Sequence, residues 1–238
     1  MLAMEYEDDE WVKNIQSQSV RLSRLISDLV TLSRLDEENP FPEREEFSLS
    51  DAVWETAEPF TALARSRGRS YSQNIEDGLT MTGDRAAVQQ MVSILLDNAN
   101  KYTPEDGSIS LSAHRAGRKN EITVSNTCDD AESIDVTRLF DRFYRADESH
   151  STRIGGTGIG LSIARATAEA HGGTISAEVN GDTITFRVKI YAPLRQRGRL
   201  NPSGKTFGFA TSPVRGGMGF RITNLAPLTG ELARRSAP

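Results

Sequence analysis

The stretch RIGGTGIGLSIAR, residues 153–165, places glycines at 155, 156, 158 and 160 directly ahead of the apolar Leu161, Ile163 and Ala164. Glycine lets a chain bring bare backbone N–H groups against an anion, and a helix starting there adds its partial positive charge. Phosphate is the anion such a loop suits, although a flexible connector ahead of a buried helix uses the same residues. A second polar set lies upstream in LLDNANKYTP, residues 95–104. On a helix, Leu95, Leu96 and Ala99 take one side. Asp97, Asn98 and Lys101 take another, with Asn98 and Lys101 three apart on one face. An amide oxygen suits Mg²⁺, which prefers oxygen donors and keeps water and phosphate in the rest of its shell. A lysine one turn on meets phosphate as a point charge, and Tyr102 adds a flat surface beside it. The plain alternative is a solvated helix end, with Asn98 and Asn100 in capping roles. Taken together, the two stretches supply a cation ligand, a phosphate partner and a phosphate cradle. Between them lies LFDRFYRAD, residues 139–147. Phe140, Phe143 and Tyr144 are expected to anchor this segment on the core, leaving Arg142 and Arg145 free to reach an anion.

These residues need elements to hold them. Residues 10–36 read as one amphipathic helix, with Val12, Ile15, Leu22, Leu25, Ile26, Leu29, Leu32 and Leu35 at three- and four-residue steps. Ile15, Leu22 and Leu29 repeat every seven, as do Leu25 and Leu32, which suits bundle or coiled-coil packing. The stripe must be covered, either by a helix of another chain or by the helix's own domain. NPFPE, with Pro40 and Pro42, ends this helix. A second helix fits Ser50 to Arg67, a strand Ser70 to Ile75, and a third helix runs from an N-cap at Asp84 to Lys101. Period-two strands follow at 108–114 and 121–126, then a short helix over Val136 to Arg145. Beyond the glycine loop come a helix to His171 and a hairpin, TISAEV and TITFRVKI, turned at Asn180-Gly181. Ile184, Phe186, Val188 and Ile190 alternate with Thr185, Arg187 and Lys189, so one face of the last strand is buried and one is wet. The order predicts an α+β fold, a two-layer α/β sandwich preceded by a long helix. The expected divisions are a helix over 1–38, a linker over 39–46, a domain over 47–190 and a tail over 191–238.

Composition sets outer bounds. The 238 residues carry a formal net charge of −5, one cysteine and three histidines. That gives no internal disulfide framework and no zinc-type cluster. No run is long and apolar enough to span a bilayer, and MLAMEYEDDE lacks the apolar segment of a secretion signal, so a cytoplasmic setting is expected. From Tyr191 onward eight Arg or Lys face one acid, Glu231, without a sustained period. This basic stretch is expected to be disordered. The acidic remainder argues against a nucleic-acid-binding core.

The ordered set LLDNANKYTP, LFDRFYRAD, GGTGIGLSIAR and AHGGTIS resembles the catalytic ATP-binding domain of bacterial sensor histidine kinases. RLSRLISDLVTLSRLD resembles the second helix of that family's dimerisation hairpin, so the likeness runs from about residue 10 to about 190. The resemblance implies a Bergerat-type fold, shared with gyrase, Hsp90 and MutL proteins, that takes ATP and Mg²⁺. By that likeness Asn98 binds Mg²⁺, Lys101 contacts phosphate and Tyr102 flanks the nucleotide. Backbone groups across Gly156, Thr157, Gly158, Ile159, Gly160 and Leu161 hold phosphates, Arg145 reaches the γ-phosphate, and residues 145–157 form a mobile lid. Thr185 matches a position near the adenine.

Two departures stand out. The family's Asp-x-Gly-x-Gly segment is replaced by VSNTCDDAESI, with Asn126 where the adenine-binding Asp is expected and no glycine after it. An amide accepts that bond without charge assistance, a weakening of about 1–2 kcal/mol, or roughly tenfold. Cys128 reads as a loop residue and not a nucleophile. The family's phosphoacceptor, a histidine in a His-Glu-x-x-x-Pro context, is also absent. His114, His150 and His171 do not fit it, His171 reading as structural, and the chain is expected to begin downstream of the motif. The implied function is the ATP-binding part of a histidine kinase. It passes the γ-phosphoryl to a histidine on another polypeptide, for relay to a response regulator, and does not label itself. Implied partners are the response regulator, a histidine-bearing helix and, in the intact protein, a second copy. The alternative is a degenerate, non-catalytic module that pairs with a full-length kinase.

Overall fold

The computed structural model describes residues 10–129, 131–145 and 157–192; the basic tail expected over 191–238 lies outside them except for Tyr191, which ends the last strand, and Ala192, whose N–H donates to the Arg118 carbonyl. Helix α1 spans Glu10–Leu35, β1 Glu45–Ser48, α2 Leu49–Ser66, β2 Ser70–Ile75, β3 Thr80–Gly83 and α3 Arg85–Tyr102. Strands β4 (Ser108–Ala116) and β5 (Lys119–Thr127) follow, then helix α4 (Gly160–Ala170) and the hairpin β6 (Thr174–Asn180) and β7 (Thr183–Tyr191). The main sheet has the order β2-β4-β5-β7-β6, parallel only between β2 and β4.

Strict alternation builds the core. Ile109, Leu111 and Ala113 of β4, Ile122 and Val124 of β5, and Ile184, Phe186, Val188 and Ile190 of β7 are buried. They pack in one cluster with Val53 and Ala57 of α2, Val88, Met91, Val92, Leu95 and Leu96 of α3, and Ala164 and Ala168 of α4. Their neighbours of opposite parity form the wet face, where Ser125 Oγ and Thr185 Oγ1 lie 3.0 Å apart and Arg187 pairs with Glu121 and Glu178. This is the expected two-layer α/β sandwich. Local signals set the helix starts. Ser48 Oγ accepts from Asp51 N at the head of α2, and Asp84 Oδ1 accepts from Ala87 N at the head of α3.

Three expectations need correction. Residues 39–46 are not a bare linker. Phe41 is buried with its ring 4.6 Å from that of His171, Arg44 donates to the Ala170 carbonyl at the end of α4, and Glu45 opens β1. β1 pairs antiparallel with β3, and neither strand was expected. No helix forms over Val136–Arg145. The segment is a chain of turns closed by Arg138 N to Asp135 O and Asp141 N to Arg138 O, preceded by a 3₁₀ turn at Ala131–Ser133.

The α1 helix divides its apolar surface. Leu32 is buried, and with Leu25 and Leu35 it packs on Ile159 and Ile163 at the start of α4 and on Ile94 of α3. Trp11, Ile15, Leu22, Ile26 and Leu29 face away and are exposed. One side of the stripe thus packs on the helix's own domain, and the other side is exposed.

Candidate functional site

The glycine loop enters α4 through Thr157, Gly158 and Ile159. Gly158 adopts φ +71°, and a Cβ there would stand 3.0 Å from the Phe143 backbone. Glycine is required on both counts. Phe143 N donates to the Gly158 carbonyl at 2.9 Å, tying the loop to the segment before it. Ile159 is fully buried and acts as N-cap of α4 without a side-chain hydrogen bond. The first-turn N–H groups of α4 therefore lack a capping side chain, the condition in which a helix N-terminus suits an anion.

Helix α3 delivers the second set. Its last turn is fixed by Arg67 Nη1 donating to the Asn100 carbonyl at 2.9 Å, by Arg69 Nη1 donating to the same oxygen, and by Thr103 Oγ1 donating to the Ala99 carbonyl at 2.6 Å. Asn100 itself is buried and structural, its Nδ2 donating to the Leu96 carbonyl. Asn98 is half-buried, Lys101 is paired with Asp97 at 2.5 Å, and Tyr102 is 39% exposed. A Cβ at Gly160 would lie 3.3 Å from Ile94 Cγ2, and Ile94 stands one turn before Asn98 on the same face of α3. The structure thus brings the start of α4 against the turn of α3 that precedes Asn98.

Asn126 sits at the far end of β5, 1% exposed. Its Nδ2 donates to the Thr127 carbonyl at 2.9 Å, and its Oδ1 is buried with no partner among the described residues. An orphaned buried acceptor is costly, and a ligand donor would satisfy it. Thr185 is not brought to this spot. It pairs in register with Ser125 on the wet face, whereas the cross-strand neighbour of Asn126 is Ile184, on the core side. Alternation about β7 therefore makes Ile184 the residue that shares the face with Asn126.

Arg145 is half-buried, and its Nε and Nη2 are enclosed without a partner among the described residues. Arg142, expected to be free, is bound at 2.8 Å to both carboxylate oxygens of Asp36 on α1. Of the aromatics expected to anchor this segment, Phe140 does so, edge-on to Phe186 with centroids 6.3 Å apart. Phe143 does not. It is 60% exposed and held at φ +64°. Tyr144 carries the Arg138 guanidinium 4.6 Å over its ring. Gly156 and most of the expected lid, residues 146–156, lie outside the described residues.

His171 is structural, as expected. Its Nε2 accepts from Asp84 N at 3.1 Å and its Nδ1 lies 2.8 Å from the Thr167 carbonyl, which fixes the neutral tautomer with the proton on Nδ1. Burial pushes its pKa below the ordinary 6.5. The Thr167 contact opposes that shift, and nearby Arg44 adds to it. Among the described residues no helix is long and apolar enough to cross a membrane, and no group of three His, Cys, Asp or Glu is placed to hold a metal.

Long-range contacts supplied what sequence reasoning missed. Ile94, Arg67, Arg69 and Ile184 position the site from elements distant in sequence, and only the alternation around Phe186 could have flagged Ile184.

Comparison with known proteins bears on the fold and the family. The family described as histidine kinase-, DNA gyrase B-, and HSP90-like ATPase matches residues 83–193. The sensor protein DltS of Streptococcus agalactiae is 30% identical over 190 residues, covering 80% of this chain and 48% of that protein. The probable sensor protein PcoS of Escherichia coli is 34% identical over 170 residues, covering 71% and 36%. The histidine kinase ThkA, solved in complex with the response regulator protein TrrA, shares the fold at a TM-score of 0.60, with 22% identity over 78% of this chain and 52% of that one. The chain spans less than half the length of these two curated relatives. Residues 83–193 are thus a domain of the histidine kinase-, DNA gyrase B-, and HSP90-like ATPase family, and the chain is similar over most of its length to parts of proteins named as sensors.

Proposed function

We propose that this chain binds ATP with Mg²⁺ between the end of α3 and the start of α4. Within a longer cytoplasmic kinase assembly it presents the γ-phosphoryl to a histidine on another polypeptide, for relay to a response regulator. The observation that carries this reading is the seat of Gly160 on Ile94, one turn from Asn98. It supports the reading because it sets an uncapped helix N-terminus against the turn of α3 that precedes Asn98, a candidate amide oxygen donor.

The donor set fits the group. Asn98 would hold Mg²⁺ through its amide oxygen, and the ion would offset triphosphate charge. Lys101 exchanges Asp97 for a phosphate oxygen, a short move for a flexible, half-exposed lysine. The first-turn N–H groups of Gly160 and Leu161 receive phosphate oxygens. Arg145, whose Nε and Nη2 have no partner among the described residues, meets the terminal phosphate. Asn126 Oδ1 accepts from the exocyclic amino group of the base, and Ile184 packs beside it. Phosphoryl transfer then rests on positioning and charge neutralisation. The acceptor histidine is assigned to another polypeptide because His114, His150 and His171 do not fit the family's acceptor motif, and His171 is in addition buried in a fixed tautomer. The exposed seam of Ile15, Leu22, Ile26 and Leu29 is where a second copy or another kinase's helix would pair. The uncapped α4 and the orphaned Asn126 acceptor favour this enzyme reading over a module that binds no nucleotide.

The test is transfer in trans. Labelled ATP and Mg²⁺ are mixed with the chain and a separate histidine-bearing hairpin of a sensor kinase. Acid-labile label on the hairpin and none on the chain is expected. Stable phosphohistidine on the chain itself would contradict the proposal.

A further inference from the structure

Helix α1 meets the nucleotide-binding region through two carboxylates. Asp36 holds Arg142 through both its oxygens at 2.8 Å, and Asp28 Oδ2 accepts from Thr157 Oγ1 at 3.2 Å. Leu32 lies between them, buried on Ile159 and Ile163. The two contacts fall on the segments just before and just after residues 146–156, so α1 grips both flanks of that stretch. The second contact lies at the start of α4. Thr157 Oγ1 also receives Ile159 N at 3.4 Å, and the helix that follows has no capping side chain. A carboxylate on that threonine sits where the helix N-terminus favours negative charge.

We infer that α1 and the nucleotide compete. The Asp28 carboxylate is a resident anion at the head of α4, and a polyphosphate arriving there meets like charge. Arg142 is likewise spent on Asp36 while α1 is seated. Bound nucleotide therefore loosens the seat of α1, and a seated α1 weakens nucleotide binding by the same factor, as linkage requires. Movement of α1 is thereby a means of setting nucleotide affinity. The inference rests on the nucleotide site proposed above and adds its regulation. The apolar contacts of Leu25, Leu32 and Leu35 hold α1 in place independently of charge, so the carboxylates tune the equilibrium without being needed for the fold.

The experiment uses the full chain and two readouts. Asp28→Asn and Asp28→Asn/Asp36→Asn are titrated with ADP and Mg²⁺ by calorimetry, beside the unsubstituted chain. Amide hydrogen exchange over residues 22–36 is followed with and without nucleotide. Tighter binding by about five- to tenfold in the double variant, and faster α1 exchange on adding nucleotide to the unsubstituted chain, are expected. Unchanged or weaker binding in the variants, or α1 exchange that stays level or slows with nucleotide, overturns the inference while leaving the site itself standing. An absence of nucleotide binding in every variant instead removes the proposed function, and this coupling with it.

Discussion

A Cβ on Gly160 would stand 3.3 Å from Cγ2 of Ile94. That contact seats the start of α4 on α3. The amphipathic face of α3 places Ile94 toward α4, and Asn98 follows one turn later on the same face of α3. The glycines around it differ in what they tolerate. Gly160→Ala adds a methyl that Ile94 accommodates by a small shift, and alanine suits a helix, so a stability change within about 1 kcal/mol is expected. Gly158→Ala meets backbone at 3.0 Å in a conformation with positive φ. A loss of about 1–3 kcal/mol is expected. Urea unfolding of the two variants separates them.

The proposed role of Asn126 at the base predicts opposite effects on stability and affinity. The buried Oδ1 has no partner among the described residues, so Asn126→Leu removes an unsatisfied acceptor of similar size. Thermal unfolding should show equal or higher stability for the variant without nucleotide, and ATP affinity should fall about tenfold. Asn126→Asp should do the reverse, destabilising the empty protein and tightening ATP binding. Parallel changes in stability and affinity would contradict this account.

The pH dependence of stability follows from His171. Its folded pKa lies below the ordinary 6.5, chiefly because burial penalises the charged form. The unfolded chain therefore takes up its proton first. Stability from this group is intact above about pH 6.5 and declines as pH falls from there toward the folded pKa, below which the loss is complete. Protonating Nε2 also removes the acceptor of Asp84 N and places a cation beside Arg44. His171→Gln should lower stability at neutral pH and flatten its decline between pH 6.5 and 5. Unfolding free energies across that range check the slope.

The seat of α1 predicts a contrast between two leucines. Leu32 is 4% exposed on Ile159 and Ile163, whereas Leu29 is 46% exposed. Leu32→Ala should release α1 and raise its hydrogen exchange, with little change in the exchange of β5 and β7. Leu29→Ala should alter neither in the isolated chain. Equal effects from both would mean that α1 is not seated as described.

Local chemistry made much of this molecule legible. Asp84 and the residues after it announce α3, the Asn180-Gly181 turn announces the last hairpin, and alternation around Phe186 announces β7. What escaped was set at a distance. β1 and β3 have four residues each and exist because they pair with each other, Phe47 opposite Met81. The helical spacing of Val136, Leu139, Phe140 and Phe143 was overruled by turns, and Phe143 N bonds to Gly158 instead. Arg142 looked free because its partner, Asp36, lies on another element. Thr185 was placed near the adenine by the family resemblance, but strand parity puts Ile184, not Thr185, on the face that Asn126 occupies.

The central claim is that Asn98 and the head of α4 hold one metal–triphosphate. Backbone and side-chain amide resonances, followed by NMR as ATP and Mg²⁺ are added, test it most directly. The account predicts that the Asn98 side-chain amide and the backbone amides of Gly160 and Leu161 shift along a single saturation curve, and that the Asn98 response is lost when Mg²⁺ is chelated. Silence at either spot at millimolar nucleotide, or two curves with different midpoints, would contradict it.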